Sequence, residues 1–214
     1  MDFEAIIFDF DYTLGDSTKG ICMSINYALT KLGYEPSDLE SIRKSIGLSM
    51  KEAFVQLTQI KNDEQSNKFI KLFKEKADIV MTECTELLPY ALDTLKQAKA
   101  NDLKTGIVTT KYHYRINQIL DKFNALSLID IIVGSEDVKF EKPNPEGLLY
   151  AIDRINVRKE KVLYVGDSIV DAETAKHARV NFIGVTTGTT SKEDFLKFPH
   201  ITIIDNLRQL VIEQ

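Results

Sequence analysis

Beyond Pro89, short apolar runs and amphipathic stretches take turns along the chain, and this alternation restricts the fold more than any other feature. Helical spacing over residues 90–100, 113–123, 145–155 and 171–178 separates strand-like runs at 105–108, 129–133, 161–165 and 181–185. A last short strand near 201–204 precedes a closing helix. Parallel strands need long crossovers and helices supply them, so the pattern predicts an α/β protein with a doubly wound parallel, Rossmann-like sheet. A further run, Ala5-Ile6-Ile7-Phe8, is apolar at every position, as in a strand covered on both faces, and it ends in acidic residues.

Between that first strand and Pro89 the rhythm is helical throughout. Ile21, Ile25, Leu29 and Leu32 recur at spacings of three and four and stop at Gly33. Ser37 with Glu40, and Ser49 with Glu52, have capping-box spacing and predict two further helix starts; a fourth helix is expected over 63–82. The reading is an all-helical cap domain at 16–86, inserted after the first strand of a core domain made of 1–15 and 87–214. Hinges are expected near Gly15–Ser17 and Leu87–Pro89.

Composition removes several classes. The 214 residues carry 27 Lys and Arg against 32 Asp and Glu, a formal charge of −5, with 43% hydrophobic residues. Such a chain can bury a core and is not disordered. It has no basic stripe for nucleic acid, so an anionic ligand must be met by local groups. The most apolar stretch, 126–134, is interrupted by Asp130 and is too short to span a bilayer. Asp2 and Glu4 stand where a secretory signal carries positive charge, and two cysteines, Cys22 and Cys84, make no disulfide framework. These features predict a cytoplasmic protein with reduced thiols packed in the helical block.

Ligands of open parallel sheets bind beyond the carboxyl ends of the strands, so the residues that follow each strand matter most. The first strand is followed by Asp9-Phe10-Asp11-Tyr12-Thr13, the 105–108 strand by Thr109-Thr110-Lys111, and the 161–165 strand by Gly166-Asp167-Ser168, with Asp171 beyond. Lys142 lies in Lys-Pro-Asn-Pro, before the 145–155 helix. Carboxylates without a histidine or cysteine partner make a hard oxygen site, which suits Mg2+ and, through it, phosphate. A carboxylate can accept a phosphoryl group as an acyl phosphate. Asp9 and Asp11, two residues apart, leave the strand on one side, so one can attack while the other handles the proton. The lysine and Thr109 can meet the oxygens of the transferring group.

In these residues the chain resembles the haloacid dehalogenase superfamily of aspartate-nucleophile phosphotransferases. Its motifs are present in order: Asp9-x-Asp11-x-Thr13, Thr109, Lys142, and Gly166-Asp167-x-x-x-Asp171. The helical insert looks like the cap of the phosphoglycolate phosphatase and β-phosphoglucomutase branch. The resemblance implies that Asp9 is the nucleophile and that Asp11 is the general acid and base, lending its backbone carbonyl to the metal. It implies Mg2+ held by Asp9, Asp11 and Asp167, with Asp171 orienting Lys142 or the metal's waters. Tyr12 departs from the usual glycine of the first motif and puts a bulky ring beside the nucleophile loop.

Further residues carry two readings each. Thr110 and Lys111 either touch substrate or open the next helix, and Ser168 reads as a helix cap. Tyr112, His113 and Tyr114 fit an exposed first helical turn. In the insert, Ile46-Gly47-Leu48-Ser49 is a helix stop that resembles a substrate-facing loop, with Arg43, Lys44 and Lys51 around it. The function expected is a Mg2+-dependent phosphatase acting on a small phosphorylated metabolite. Sugar-phosphate mutases are the alternative, but their loop resembles Gly-x-Ser-Arg, and Met50 holds the arginine position here. A phospho-accepting receiver domain is the remote one, since receivers have no such insert. Asp11 counts against dehalogenation. Oligomeric state is not legible.

Overall fold

The computed structural model describes residues 3–210. The chain divides into two compact units, one formed by Met1–Gly15 with Leu87–Gln214 and the other by Asp16–Glu86. In chain order the elements are β1 (Ala5–Phe8), β2 (Gly15–Asp16), α1 (Thr18–Lys31), α2 (Leu39–Arg43), α3 (Met50–Thr58), α4 (Asp63–Val80) and β3 (Glu86–Leu87). There follow α5 (Ala91–Ala100), β4 (Lys104–Val108), α6 (His113–Lys122), β5 (Ile131–Val133), α7 (Glu146–Ile155), β6 (Val162–Gly166), α8 (Ile169–Ala178), β7 (Asn181–Val185), α9 (Lys192–Phe195) and β8 (Thr202–Ile204).

Six strands form one parallel sheet in the order β5-β4-β1-β6-β7-β8, the doubly wound α/β arrangement that the alternation predicts. β1 is central, with Ile7 in register with Gly106 on one side and Tyr164 on the other. Its four residues are all buried, because helices cover both faces. Ala5, Ile7, Val133, Tyr164 and Phe182 pack with Leu148 and Ala151 of α7 and with Ala172 and Ala175 of α8. The alternating residues Ile6, Phe8 and Leu163 are buried on the opposite face. The chain leaves β1 toward β4 and β5, then returns to lay β6, β7 and β8 on its other side. That reversal opens a crevice at the carboxyl ends of β1, β4 and β6, just where the acidic loops begin.

The unit Asp16–Glu86 holds only helices apart from the short strands β2 and β3 at its ends. α1 closes with Gly33 at φ +84°; Tyr34 N–H donates to the Leu29 carbonyl and Gly33 N–H to that of Thr30, so two orphan carbonyls are satisfied. Phe54 and Phe69, with ring centroids 5.3 Å apart, anchor the core of this unit. The Ser49–Glu52 capping box forms as expected. The other differs: Asp38, not Ser37, caps α2 by accepting from Ser41 N–H at 2.9 Å. Ser37 is held instead by Asn26, whose Oδ1 accepts from Ser37 N–H at 2.8 Å.

Other boundaries shift for identifiable reasons. β5 begins only at Ile131, because the Asp130 carboxylate turns aside to accept from Thr105 N–H at 2.7 Å and Lys99 Nζ at 2.5 Å. α8 begins at Ile169 rather than 171, since Ser168 caps it. After β8 the described chain makes a short 3-10 turn, Leu207–Gln209, and a closing helix beyond it lies outside the described residues. No helix among the described residues is long and apolar enough to cross a membrane.

Replacing Leu148, fully buried in α7, by Ala is expected to cost about 2–5 kcal/mol. Its neighbour Leu149 is 40% exposed, and Leu149→Ala should stay within about 0.5 kcal/mol. Urea unfolding midpoints of the two variants check this; equal losses would mean that α7 buries a different face.

Candidate active site

Asp9 leaves the end of β1 with its N–H bonded to the Val165 carbonyl at 2.9 Å, so its carboxylate stands at the sheet's crevice. Lys142 reaches it from the loop before α7: Nζ donates to Asp9 Oδ1 at 2.7 Å and to Asp171 Oδ1 at 2.7 Å. All three side chains are buried. Asp171 Oδ1 also accepts from Tyr164 Oη at 2.8 Å, and Oδ2 accepts from Ser168 Oγ at 2.5 Å and Ser168 N–H at 3.2 Å. Four donors thus occupy Asp171, which leaves it little capacity as a metal ligand. Its role here is to hold Lys142. Gly166 makes this possible, because a Cβ there would lie 2.4 Å from Asp171 Cβ.

Asp167 is buried beside this network, and its Oδ1 accepts one long hydrogen bond from Thr13 Oγ1 at 3.4 Å. Carboxylate oxygens of Asp9, Asp167 and Asp171 lie within 4.8 Å of one another. Asp11 pairs through Oδ2 with Lys111 Nζ at 3.0 Å, while its Oδ1 is buried without a hydrogen-bond partner. Lys111 is 8% exposed, held against Asp11 rather than standing free at the opening of the next helix. Its own N–H donates to Thr109 Oγ1 at 3.1 Å. Thr109 is buried at the end of β4, with its N–H bonded to the Val133 carbonyl.

The electrostatics follow from burying like charges together. Desolvation, with the Asp171 charge adding to it against the pull of Lys142, raises the Asp9 carboxyl to about 7. Burial and the charges of Asp171 and Asp9 hold Asp167 well above the usual carboxylate range. Burial alone would depress the Lys142 ammonium, but the charges of Asp171 and Asp9 outweigh it and raise its pKa. Four buried carboxylates, Asp9, Asp11, Asp167 and Asp171, face two ammonium groups, Lys111 and Lys142, so 2 − 4 leaves a formal −2. Oxygen donors, an under-bonded Asp167, the orphaned Asp11 Oδ1 and this charge deficit together fit a hard divalent cation.

Thr110 is half-buried next to Thr109. Gly47 belongs to the helical unit, in the turn between α2 and α3, and its φ of +93° means that the backbone itself calls for glycine. His113 is half-exposed at the start of α6, with Nδ1 2.7 Å from Asp137 Oδ2. Cys22 and Cys84 are free thiols. One contributor escapes a sequence reading. Tyr164 looks like an ordinary strand residue until its hydroxyl meets Asp171. Tyr12 takes the left-handed φ of +59°, the conformation that a glycine would adopt freely.

Residues 6–185 match the model of the haloacid dehalogenase-like hydrolases. Phosphoglycolate phosphatase 1 of Pseudomonas aeruginosa is 28% identical over 212 residues, covering 96% of this chain and 78% of that one. The phosphoglycolate phosphatase of Escherichia coli K12 is 29% identical, over 87% and 82% of the two chains. A crystal structure from Bacteroides fragilis, described as a haloacid dehalogenase-like hydrolase, superposes with a TM-score of 0.95 at 42% identity, over 98% of this chain and all of that one.

Removing the shared cation tests the cluster as a unit. Lys142→Met leaves Asp9 and Asp171 buried and unpaired, and should destabilise the protein by about 3–5 kcal/mol without divalent ions. Adding Asp171→Asn should recover part of that loss in urea unfolding. A Lys142→Met protein as stable as the parent would contradict the pairing.

Proposed function

Because the chain belongs to the haloacid dehalogenase-like hydrolase family and is a phosphoric monoester hydrolase, we propose that it is a Mg2+-dependent phosphatase that hydrolyses a small phosphorylated metabolite through an aspartyl-phosphate. The observation that carries this reading is the bridge from Lys142 Nζ to Asp9 Oδ1 and Asp171 Oδ1, each at 2.7 Å. A buried carboxylate fixed by one oxygen has its other oxygen, Oδ2, to present to phosphorus.

Asp9 attacks, forming an O–P bond as the bond to the leaving oxygen breaks, and the acyl phosphate is then hydrolysed. Asp11 gives its proton to the leaving alkoxide and takes one from the attacking water in the second step. Lys142 and the Thr109 hydroxyl hold the oxygens of the transferring group, where phosphoryl transfer draws most of its stabilisation. Asp9, Asp167 and the Asp11 backbone carbonyl would hold the Mg2+, which would supply positive charge to offset the buried carboxylates and the transferring phosphoryl group. Thr13 steadies Asp167. Thr110 and Lys111 follow Thr109 into the crevice as candidate substrate contacts, and Gly47 is a candidate of the helical unit.

The relatives' names put phosphoglycolate first among the substrates to try. A panel of phosphorylated metabolites compared by kcat/KM tests the substrate class, and activity should vanish with a chelator and return with Mg2+. Asp9→Asn should retain less than about 1% of the turnover, a barrier increase of at least ~2.7 kcal/mol. Greater residual activity would remove Asp9 from the nucleophile's role.

Asp11→Asn should behave differently, because the nucleophile survives while proton transfer is lost. Formation of the acyl phosphate should slow about 10²- to 10⁴-fold on an alkyl phosphate and much less on p-nitrophenyl phosphate, whose leaving group needs no proton, while steady turnover falls on both because the attacking water loses its base. Equal losses in the first, single-turnover step on both substrates would assign Asp11 a structural role.

A further inference from the structure

The turn that follows β7 reaches the site, although no catalytic motif includes it. Gly188 lies against Asp167: a Cβ built on it would stand 1.9 Å from Asp167 Oδ2 and 2.8 Å from Asp167 Cγ. Nothing in the backbone asks for glycine here, since Gly188 is not among the residues of positive φ. The requirement is space, and the group that needs the space is the carboxylate. The preceding residue acts on the other side of the site. Thr187 Oγ1 donates a short hydrogen bond to the Tyr12 carbonyl, across 175 positions of sequence.

Tyr12 occupies the left-handed region at a cost of ~1–2 kcal/mol for a residue with a Cβ. Its N–H donates to the Gly15 carbonyl at 2.7 Å, and Thr187 takes the carbonyl, so both of its peptide groups are tied. The Asp11–Tyr12 peptide is thereby fixed by Gly15 and the Tyr12–Thr13 peptide by Thr187. One turn of two residues therefore bounds Asp167 and anchors the loop that carries Asp9 and Asp11.

We propose that Thr187 and Gly188 are positioning residues of the cation site: Gly188 sets where the Asp167 carboxylate points, and Thr187 sets the direction of the nucleophile loop. This rests on the Mg2+ reading of the proposed function. An alanine methyl at 188 meets the far end of a flexible side chain rather than backbone, so the fold accommodates it by swinging Asp167 aside. The variant should be well folded and poor at holding its cation. Groups that orient ligands from outside the coordination sphere typically change metal affinity or activity about 10- to 100-fold.

The experiment measures Mg2+ twice, without turnover as the rise in melting temperature on adding MgCl2, and with turnover as the Mg2+ concentration that half-saturates p-nitrophenyl phosphate hydrolysis. Gly188→Ala should melt near the parent's temperature without Mg2+, gain less on its addition, and need about 10-fold or more Mg2+ for half-saturation. KM at saturating Mg2+ should change by less than about threefold, because the effect runs through the cation rather than through substrate contacts. Thr187→Ala should weaken Mg2+ in the same sense, and Thr187→Ser, which keeps the hydroxyl, should restore it. Should Gly188→Ala not fold, the Thr187 pair decides alone. A parent protein whose melting and turnover ignore Mg2+ would overturn the cation reading itself. A Mg2+-responsive parent, with Gly188→Ala and Thr187→Ala responding to the same Mg2+ concentrations, would overturn the positioning role alone.

Discussion

One buried ammonium group sets the terms for the rest of the site. Lys142 Nζ lies 2.7 Å from an oxygen of Asp9 and 2.7 Å from an oxygen of Asp171, with all three side chains out of solvent. Burying ions is expensive unless each is paired and hydrogen-bonded, and the surroundings are arranged to that end. Asp171 spends its lone pairs on Lys142, Tyr164 and Ser168. Fixed in this way, it holds the lysine at Asp9. Burial, with the neighbouring negative charges adding to it, keeps Asp9 and Asp167 above their ordinary pKa ranges.

Sheet topology explains why the groups meet. Asp9, Thr109 and Asp167 each follow a strand that ends at the same rim, and the reversal of strand order at β1 leaves that rim open. Close approach then depends on missing side chains. At Gly166 a Cβ would collide with Asp171, and at Gly188 with Asp167 Oδ2. A glycine ending β6 and another in the turn after β7 thus admit two carboxylates, and the hydroxyl of Thr187 ties the loop after β1 to the same place.

Much of this is legible in the sequence, for physical reasons. Apolar runs of strand length between helical periods announce a parallel sheet, and residues after each strand announce its ligand edge, so Asp9, Thr109 and Asp167 are visible from their positions alone, and Lys142 from the Lys-Pro-Asn-Pro turn before the next helix. Local caps are legible only to within a residue: Asp38 and Ser37 are both good caps, and the competing Asn26 bonds that decide between them are tertiary. Contacts between distant positions are the least legible. Lys111 reads as a helix-opening lysine until Asp11, far away in sequence, pairs with it. Tyr164 has the pattern of a core strand residue, and only the fold supplies the carboxylate for its hydroxyl. Thr187 and Gly188 sit in a run of small polar residues, where no periodicity distinguishes a supporting turn from any other loop.

On the proposed function, the carboxylate held by Lys142 becomes phosphorylated during turnover. Acid quenching of the Asp11→Asn protein in the presence of Mg2+ and p-nitrophenyl phosphate, followed by peptide mass spectrometry, tests it most directly, because hydrolysis of the intermediate is slowed while its formation continues. The account predicts one added phosphoryl group on the peptide that contains Asp9, formed together with a burst of nitrophenol. A burst with the phosphoryl group on any other residue, or steady turnover with Asp9 never modified, would contradict it.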